Sequence, residues 1–408
     1  MGKVWIVSEL YYPEETSTGY FLTKIAEGLA EESSVHVQCS QPTYSGRSRK
    51  ALKYEERRGV HIHRCWSTTL DKDVLPLRVL NILSITLSFL VNAIRRFRPG
   101  DCVLVVTNPP TVPAVIAIAS YLRRCRCILI VHDVYPEALI AAGVFRKRSI
   151  LANTVGWIAN ILYRQMDRIV VLGRDMASLI EKRLPAGGRR TVSIPNWADL
   201  GLVRPMPRKD NRLLLDLGLT SKFVLQYSGN IGRTHGIEQL VNCSERFLED
   251  PSTHFLFIGF GGKKDWLEQS IKERQITNTT LIDYLPRSDL PVSLNACDVA
   301  IISFLEGMAG VSVPSRMYNI MAAGKPIIAM ADSNSELALV IEEENIGWLV
   351  SPGDVDGLCG VIIEAKSNAG LLAEMGRRAR KAAEAKYSFE AVKTAYLGLV
   401  RSIRPDGD

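Results

Sequence analysis

Short runs rich in Val and Ile alternate with helix-patterned segments along nearly the whole chain, in two series separated by a stretch of breakers and charges. In the first series the strand pattern falls at residues 4–8, 35–39, 60–65, 102–107, 127–132, 168–172 and 191–194. In the second it falls at 223–228, 254–258, 280–283, 299–303, 326–330 and 347–350. Most of these runs are close to continuously apolar, as strands buried on both faces are, and the intervening helices supply the crossovers that parallel strands need. The expectation is an α/β protein of two doubly wound domains facing a cleft. Residues 1–200 form the first domain, 201–222 the linker and 223–385 the second domain, with a terminal helix over 386–408. At 408 residues the chain exceeds what one ordinary core holds.

Open sheets of this kind bind ligands beyond the carboxyl ends of their strands, so the loops there are where chemistry is expected. Hydrophobic content of 47% and charged content of 23% exclude a disordered chain. Eight cysteines, at 39, 65, 102, 125, 127, 243, 297 and 359, form no CxxC pair and lie mostly in apolar runs. They read as reduced and buried, and no metal site or cofactor is expected from them. The N-terminus runs straight into a strand pattern without a secretory signal, which points to a cytoplasmic protein. Residues 1–200 carry a net charge of +10 and the remainder −3. A basic half beside a slightly acidic half implies an anionic partner for the first domain. No nucleic-acid motif or aromatic platform accompanies the charge, so a membrane surface or a phosphorylated lipid acceptor is the expected partner, and nucleic acid is not. Residues 74–98 are apolar on most sides and end in Arg95, Arg96 and Arg98; lying between strands of one sheet, they read as a buried or partly exposed helix of the first domain, with a helix in peripheral contact with a bilayer as the alternative.

The stretch from Gly310 through Ser312, Pro314, Ser315, Arg316 and Asn319 to Gly324 is a small-residue loop opening into a short helix that stops at glycine. Such a loop aims backbone N–H groups, Ser315 and Arg316 into one space at a helix start, which suits a diphosphate. Gly229, Asn230 and Arg233 open a second such loop after residues 223–228, and Gly19 lies in a third after the first strand. His132 and Asp133 end the fifth strand run, where His132 is a candidate catalytic group and Asp133 could orient it or receive an acceptor hydroxyl. Tyr284 and Leu285 follow the strand at 280–283, and Gly259 to Gly262 makes a weak glycine cluster.

The 310–329 stretch resembles the nucleotide-sugar signature of the family-4 glycosyltransferases, retaining enzymes of GT-B fold with two Rossmann-like domains. The Val-Pro-Ser-Arg variant resembles the subgroup that builds bacterial surface polysaccharides, O-antigens and colanic acid. The resemblance implies a nucleotide-diphosphate sugar as donor, UDP-linked, and a lipid-linked saccharide or other glycan as acceptor at the inner face of the cytoplasmic membrane. It implies that His132 touches the donor sugar, that Glu306 is the first of the family's paired glutamates, and that Tyr284 and Leu285 receive the base. It also implies that the terminal helix crosses back to the first domain and that transfer needs no metal. The sequence departs from the family where an Arg and a Lys are usual in the 229–236 loop, having Asn230 and His235, so that Arg233 and Arg316 become the replacement cations. The second glutamate is replaced by Asn319, thirteen positions after Glu306, a wider spacing than the family's; Asn319 is the expected ribose contact. A nucleotide-sugar epimerase of the same fold and a non-catalytic nucleotide-sugar-binding subunit are the alternative readings.

Overall fold

The computed structural model describes residues 2–14, 16–42, 51–70, 74–185 and 190–403. In the first domain, β1 (Val4–Val7), α1 (Ser17–Leu29), β2 (Val35–Cys39), β3 (Tyr54–Arg57), β4 (Val60–Arg64), α2 (Leu75–Arg96), β5 (Cys102–Val106), α3 (Val112–Arg123) and β6 (Arg126–Val131) follow in order. The short α4 (Glu137–Ala141) precedes α5 (Ile150–Gln165), β7 (Arg168–Val171), α6 (Arg174–Glu181) and β8 (Thr191–Ser193). The second domain begins with α7 (Arg212–Asp216), β9 (Phe223–Asn230), α8 (Ile237–Arg246), β10 (Thr253–Phe260), α9 (Lys264–Glu273) and β11 (Thr279–Ile282). It continues with α10 (Leu290–Leu294), β12 (Val299–Ser303), α11 (Arg316–Ala322), β13 (Ile327–Met330), α12 (Glu336–Glu344), β14 (Gly347–Val350), α13 (Val355–Ser367) and α14 (Ala369–Lys386). The last helix is α15 (Phe389–Ile403).

The first sheet has the order β3-β4-β2-β1-β5-β6-β7-β8 and the second β11-β10-β9-β12-β13-β14. Among the named strands every pairing is parallel except β3 with β4. That hairpin was not foreseen. Its Tyr-Glu-Glu-Arg sequence lacks the apolar run of a central strand, and its partial exposure fits a sheet edge.

Burial on both faces explains the unbroken apolar runs. In β1, Val4 and Ile6 enter one core with α1, while Trp5 and Val7 enter the other with α2, α3 and α5. In β12, Ala300 and Ile302 pack with α11 while Val299 and Ile301 pack with α8.

The chain crosses between domains twice, and the two crossings lie side by side. Trp197 is in the first domain's core and Ala198 in the second's. Tyr387 and Phe389 make the same change in the opposite direction. The crossings are joined by a bridge between Ala198 and Ser388, with Ala198 N–H donating to the Tyr387 carbonyl at 2.8 Å. Helix α15 then lies on the first domain, with Val392, Tyr396, Leu399 and Val400 in its core. The expected linker, 201–222, is instead part of the second domain, where Val203, Leu214 and Leu219 are buried. Its prolines and charges made it look like a tether, but its spaced apolar residues cap a core.

Candidate active site between the two sheets

The carboxyl ends of the two sheets face one another and touch. Just past β6, the Asp133 backbone forms an antiparallel bridge with Ser312, in the loop after β12, and Val134 N–H donates to the Val311 carbonyl at 3.0 Å. On the same loop, the Ser315 hydroxyl lies 3.1 Å from that of Ser17 at the start of α1. Nearby, Asp175 of α6 receives the N–H groups of Gly310 (2.8 Å) and of Glu336 (2.9 Å), so one carboxylate holds both the loop and the start of α12. Arg174 pairs with Glu336 and Glu343 across the same seam. Gly310 is required here: its φ is +74°, and a Cβ would come 2.9 Å from the Asp175 carbonyl oxygen.

Arg316 occupies the second domain's side of the cleft. Its Nη1 donates to the Ser228 carbonyl at 3.0 Å and its guanidinium lies 4.5 Å from the centre of the Tyr227 ring. Its Nη2 is buried and has no partner among the described residues. Gly229 makes this placement feasible, since a Cβ there would stand 2.5 Å from Nη1. A covered guanidinium nitrogen without an acceptor is costly to leave so, and an anion is its natural complement. His235 lies beside this group and is pushed down to about 3, first by burial and then by the field of Arg316, so its ring is neutral. Arg233 is exposed at the loop tip. Asn230 is also exposed, and its side chain lies over the turn at Gly261.

On the first domain's side, His132 N–H donates to Thr107 Oγ1 at 3.1 Å. Its Nε2 is covered and has no partner among the described residues, and burial pushes the imidazole down to about 4, so it too is neutral. Burial raises the Asp133 carboxyl, opposed by a hydrogen bond with Ser312. Two buried nitrogens that lack partners therefore sit at the carboxyl edges of opposite sheets, one a neutral imidazole and one a cation.

Several expected placements change. Gly19 N–H is taken by the Thr16 hydroxyl at 3.2 Å, which caps α1, so it is not open to a diphosphate. Ser312 is engaged with Asp133. Helix α11 has only seven residues, starts at Arg316 with Pro314 and Ser315 before it, and has no side-chain cap. Its dipole is correspondingly slight, leaving the Arg316 side chain as the main source of positive charge. Asn319 Oδ1 accepts the Asp199 N–H at 2.8 Å, so this side chain ties the crossing segment to α11. Asp199 is also bound by the Tyr20 hydroxyl at 2.7 Å and by Arg287 at 2.9 Å, which joins the two domains again. Glu306 is exposed, on a loop hung from Asp332 by the N–H groups of Gly307 and Ala309. Leu285 packs against the second domain's core.

Tyr284 is half exposed and meets Phe260 edge-to-face, with ring centres 5.6 Å apart, at the carboxyl ends of β11 and β10. Phe260 was missed in the sequence, although it sits inside the Gly259–Gly262 cluster; an exposed aromatic between glycines was the available signal. The Asp175, Arg174 and Glu336 seam had none, because its partners lie 135 or more positions apart.

Residues 18–197 match the family model described as the glycosyl transferase 4-like domain, and residues 216–382 match glycosyl transferases group 1. The chain is 32% identical over 365 residues to the glycosyltransferase WbjE of Pseudomonas aeruginosa, covering 89% of each chain. The chain belongs to the family-4 glycosyltransferases.

This glycosyltransferase is also 26% identical to the colanic acid biosynthesis glycosyl transferase WcaI of Escherichia coli K12, over 98% of this chain and 100% of that one. Its fold is GT-B. The Anabaena protein HepE in complex with UDP-glucose superposes with a TM-score of 0.74 at 17% identity, over 98% of this chain and 99% of that one. The family and its relatives place this enzyme in bacterial polysaccharide biosynthesis.

Proposed function

We propose that this glycosyltransferase moves a hexose from a UDP-sugar to a lipid-linked saccharide or related glycan, with retention of anomeric configuration and without a metal. The Arg316 guanidinium carries the reading: it is held by Ser228 and Tyr227 and leaves one covered nitrogen for an acceptor. A diphosphate fits that demand, and Ser315, next to Arg316 in the chain, and the exposed Arg233, on the loop after β9, would share its charge. The Phe260 and Tyr284 pair, at the ends of neighbouring strands, offers an aromatic wall for the base. The presence of UDP-glucose in HepE supports the choice of nucleotide. The relative in colanic acid biosynthesis supports a glycan acceptor, which we place at the inner face of the cytoplasmic membrane, in O-antigen or similar assembly.

In the proposed step the acceptor oxygen bonds to the anomeric carbon on the face from which UDP departs. The carbon–oxygen bond to the diphosphate breaks, and the acceptor proton passes to the departing phosphate oxygen. Arg316 stabilises the charge that builds on the leaving group. His132, neutral at working pH, makes a hydrogen bond to a donor-sugar hydroxyl through Nε2. Asp133, with its carboxyl engaged by Ser312, positions the His132 loop against the second domain. Glu306, on its exposed loop, contacts the sugar only if that loop folds in over the donor.

The test is UDP release from a panel of UDP-sugars, with and without bacterial lipid extract, with and without chelator, and with the product anomer read by NMR. Lipid-dependent release that survives the chelator, with a retained anomer, is expected. Interconversion of the free sugar nucleotide, or UDP binding without turnover on any extract, would overturn the proposal in favour of an epimerase or a binding subunit.

A further inference from the structure

Of the 24 large apolar side chains exposed among the described residues, 18 lie between Trp66 and Ile161. They are organised, because three helices covering one face of the first sheet are apolar on both sides. In α2, the inward stripe of Ile85, Phe89 and Ala93 enters the core, while Leu83 and Leu87 point outward. In α3, Val112, Ile116 and Ala119 face inward while Tyr121, 81% exposed, and Leu122 face outward. In α5, Ala159 and Tyr163 face inward while Ile150, 85% exposed, and Trp157, 65% exposed, face outward. Helix α3 packs against both α2 and α5, so the outward stripes adjoin and form one surface. Isolated exposed apolar residues need no explanation, but a contiguous face across three helices marks an interaction site.

The charge around this face selects the occupant. From Val74 to Arg168 the chain carries twelve Lys and Arg against four Asp and Glu. Only one of the four acids meets a cation of this set, Asp167 with Arg126. Asp101 is buried on Trp5 and Lys3, Asp133 is in the cleft, and Glu137 pairs with Arg183. Arg95, Arg98, Arg123 and Arg124 gather where α2 and α3 end, and Arg146, Lys147 and Arg148 precede Ile150. An apolar face rimmed by cations complements an anionic bilayer: the side chains enter the acyl boundary while the cations meet lipid phosphates. A second copy of the chain would set these cations against one another.

We propose that the outward face of α2, α3 and α5 is a membrane-docking surface on which the first domain lies, half-embedded, on an anionic lipid bilayer. Helix α2 is long and apolar enough to cross a membrane. It does not cross here, because its inner side is packed on the sheet between β4 and β5 and its Phe89 carbonyl accepts from Gln38 of β2 at 2.9 Å. Crossover helices run antiparallel to their strands, so the N-terminal ends of α2 and α5 lie at the cleft edge. Docking in this way sets the mouth of the site beside the membrane surface.

The experiment is co-sedimentation of the full chain with vesicles of phosphatidylcholine alone or mixed with phosphatidylglycerol, without sugar nucleotide or acceptor. It is therefore independent of whether the transfer reading holds. Binding to the mixed vesicles is expected, at least about fivefold weaker on neutral ones and weakened by salt. Leu87→Glu combined with Trp157→Glu is expected to lower binding roughly tenfold or more, with melting temperature and UDP binding unchanged. With brominated acyl chains, tryptophan fluorescence should be quenched, and less so in Trp157→Phe. Absence of binding to the mixed vesicles would refute the proposal, as would a double variant that binds like the parent. A solution dimer that the double variant dissociates, without vesicle binding, would assign the face to a second copy instead.

Discussion

Replacing Arg316 with Ala tests the site most directly. Without ligand, the guanidinium contributes one hydrogen bond to the Ser228 carbonyl at 3.0 Å and a face-on contact with Tyr227 at 4.5 Å. Those are worth about 1 kcal/mol each. Against them stands the covered, unpartnered Nη2, whose desolvation costs about as much as both together. The two sides nearly cancel, so Arg316→Ala should shift the melting temperature by only a few degrees, in either direction. Bound to a diphosphate, the same group gains charge-assisted hydrogen bonds of about 1.5–3 kcal/mol each. Losing two of them removes about 3–6 kcal/mol, or roughly a hundredfold to ten-thousandfold in Kd for UDP. Isothermal calorimetry with UDP, beside thermal unfolding, measures both. Arg316→Lys, which keeps the charge but loses the fork and the flat contact, should fall between. The His235 ring gives a control by NMR: removing the nearby cation should raise its depressed pKa part of the way, since burial, the larger cause, remains. UDP affinity within twofold of the parent, in a variant whose His235 shift confirms the loss of the cation, would refute the diphosphate assignment.

His132→Ala should lower kcat about tenfold to a hundredfold while leaving UDP affinity within a few fold, because Nε2 faces the sugar and not the nucleotide in the proposed pose; a full-rate variant removes His132 from the mechanism. Asp175→Ala strips the acceptor from the N–H groups of Gly310 and Glu336, at 2.8 and 2.9 Å, and should destabilise by about 2–4 kcal/mol and loosen the seam. Unchanged unfolding and unchanged small-angle scattering would show that this seam does not hold the domains. Stability should fall as pH drops from about 6.5 toward 4, because His36, His63, His132 and His254 are all held near 4 and His235 near 3, mainly by burial. Over that window the unfolded chain takes up protons that the folded one refuses. Asp133, raised by burial, acts in the opposite sense: its contribution is present at low pH and lost as pH rises through its elevated value. Denaturant titrations at pH 7.5, 6 and 4.5 would reveal the histidine effect as a falling midpoint, and a midpoint flat across the series contradicts it.

The two sheets were legible in the sequence because a strand covered on both faces has to be apolar at consecutive positions, and the central strands β1, β5, β6, β12 and β13 obey this. The hairpin strand β3 was not legible, since an edge strand of Tyr, Glu and Arg has no periodic apolar signal. The loops that follow the strands could likewise be found from glycine, proline and serine placement. Their local bonds could not. Gly19 looked like an open backbone until Thr16 was seen on its N–H, and Asn319 looked like a ribose ligand until it was seen on Asp199. In both cases a polar group had more than one candidate partner, and only proximity in space decided between them. What the order of residues determined by itself was the two α/β series, the cleft between their carboxyl ends and the Pro314-Ser315-Arg316 loop. Those depend on local conformational preference and on hydrophobic periodicity, which are properties of neighbours in the chain. Tertiary structure alone decided that Arg316 retains an unanswered nitrogen, that Asp175 holds the loop from the other domain, and that the outward stripes of α2, α3 and α5 merge into one face. These depend on groups distant in sequence sharing one volume from which water is excluded, and no spacing along the chain encodes that.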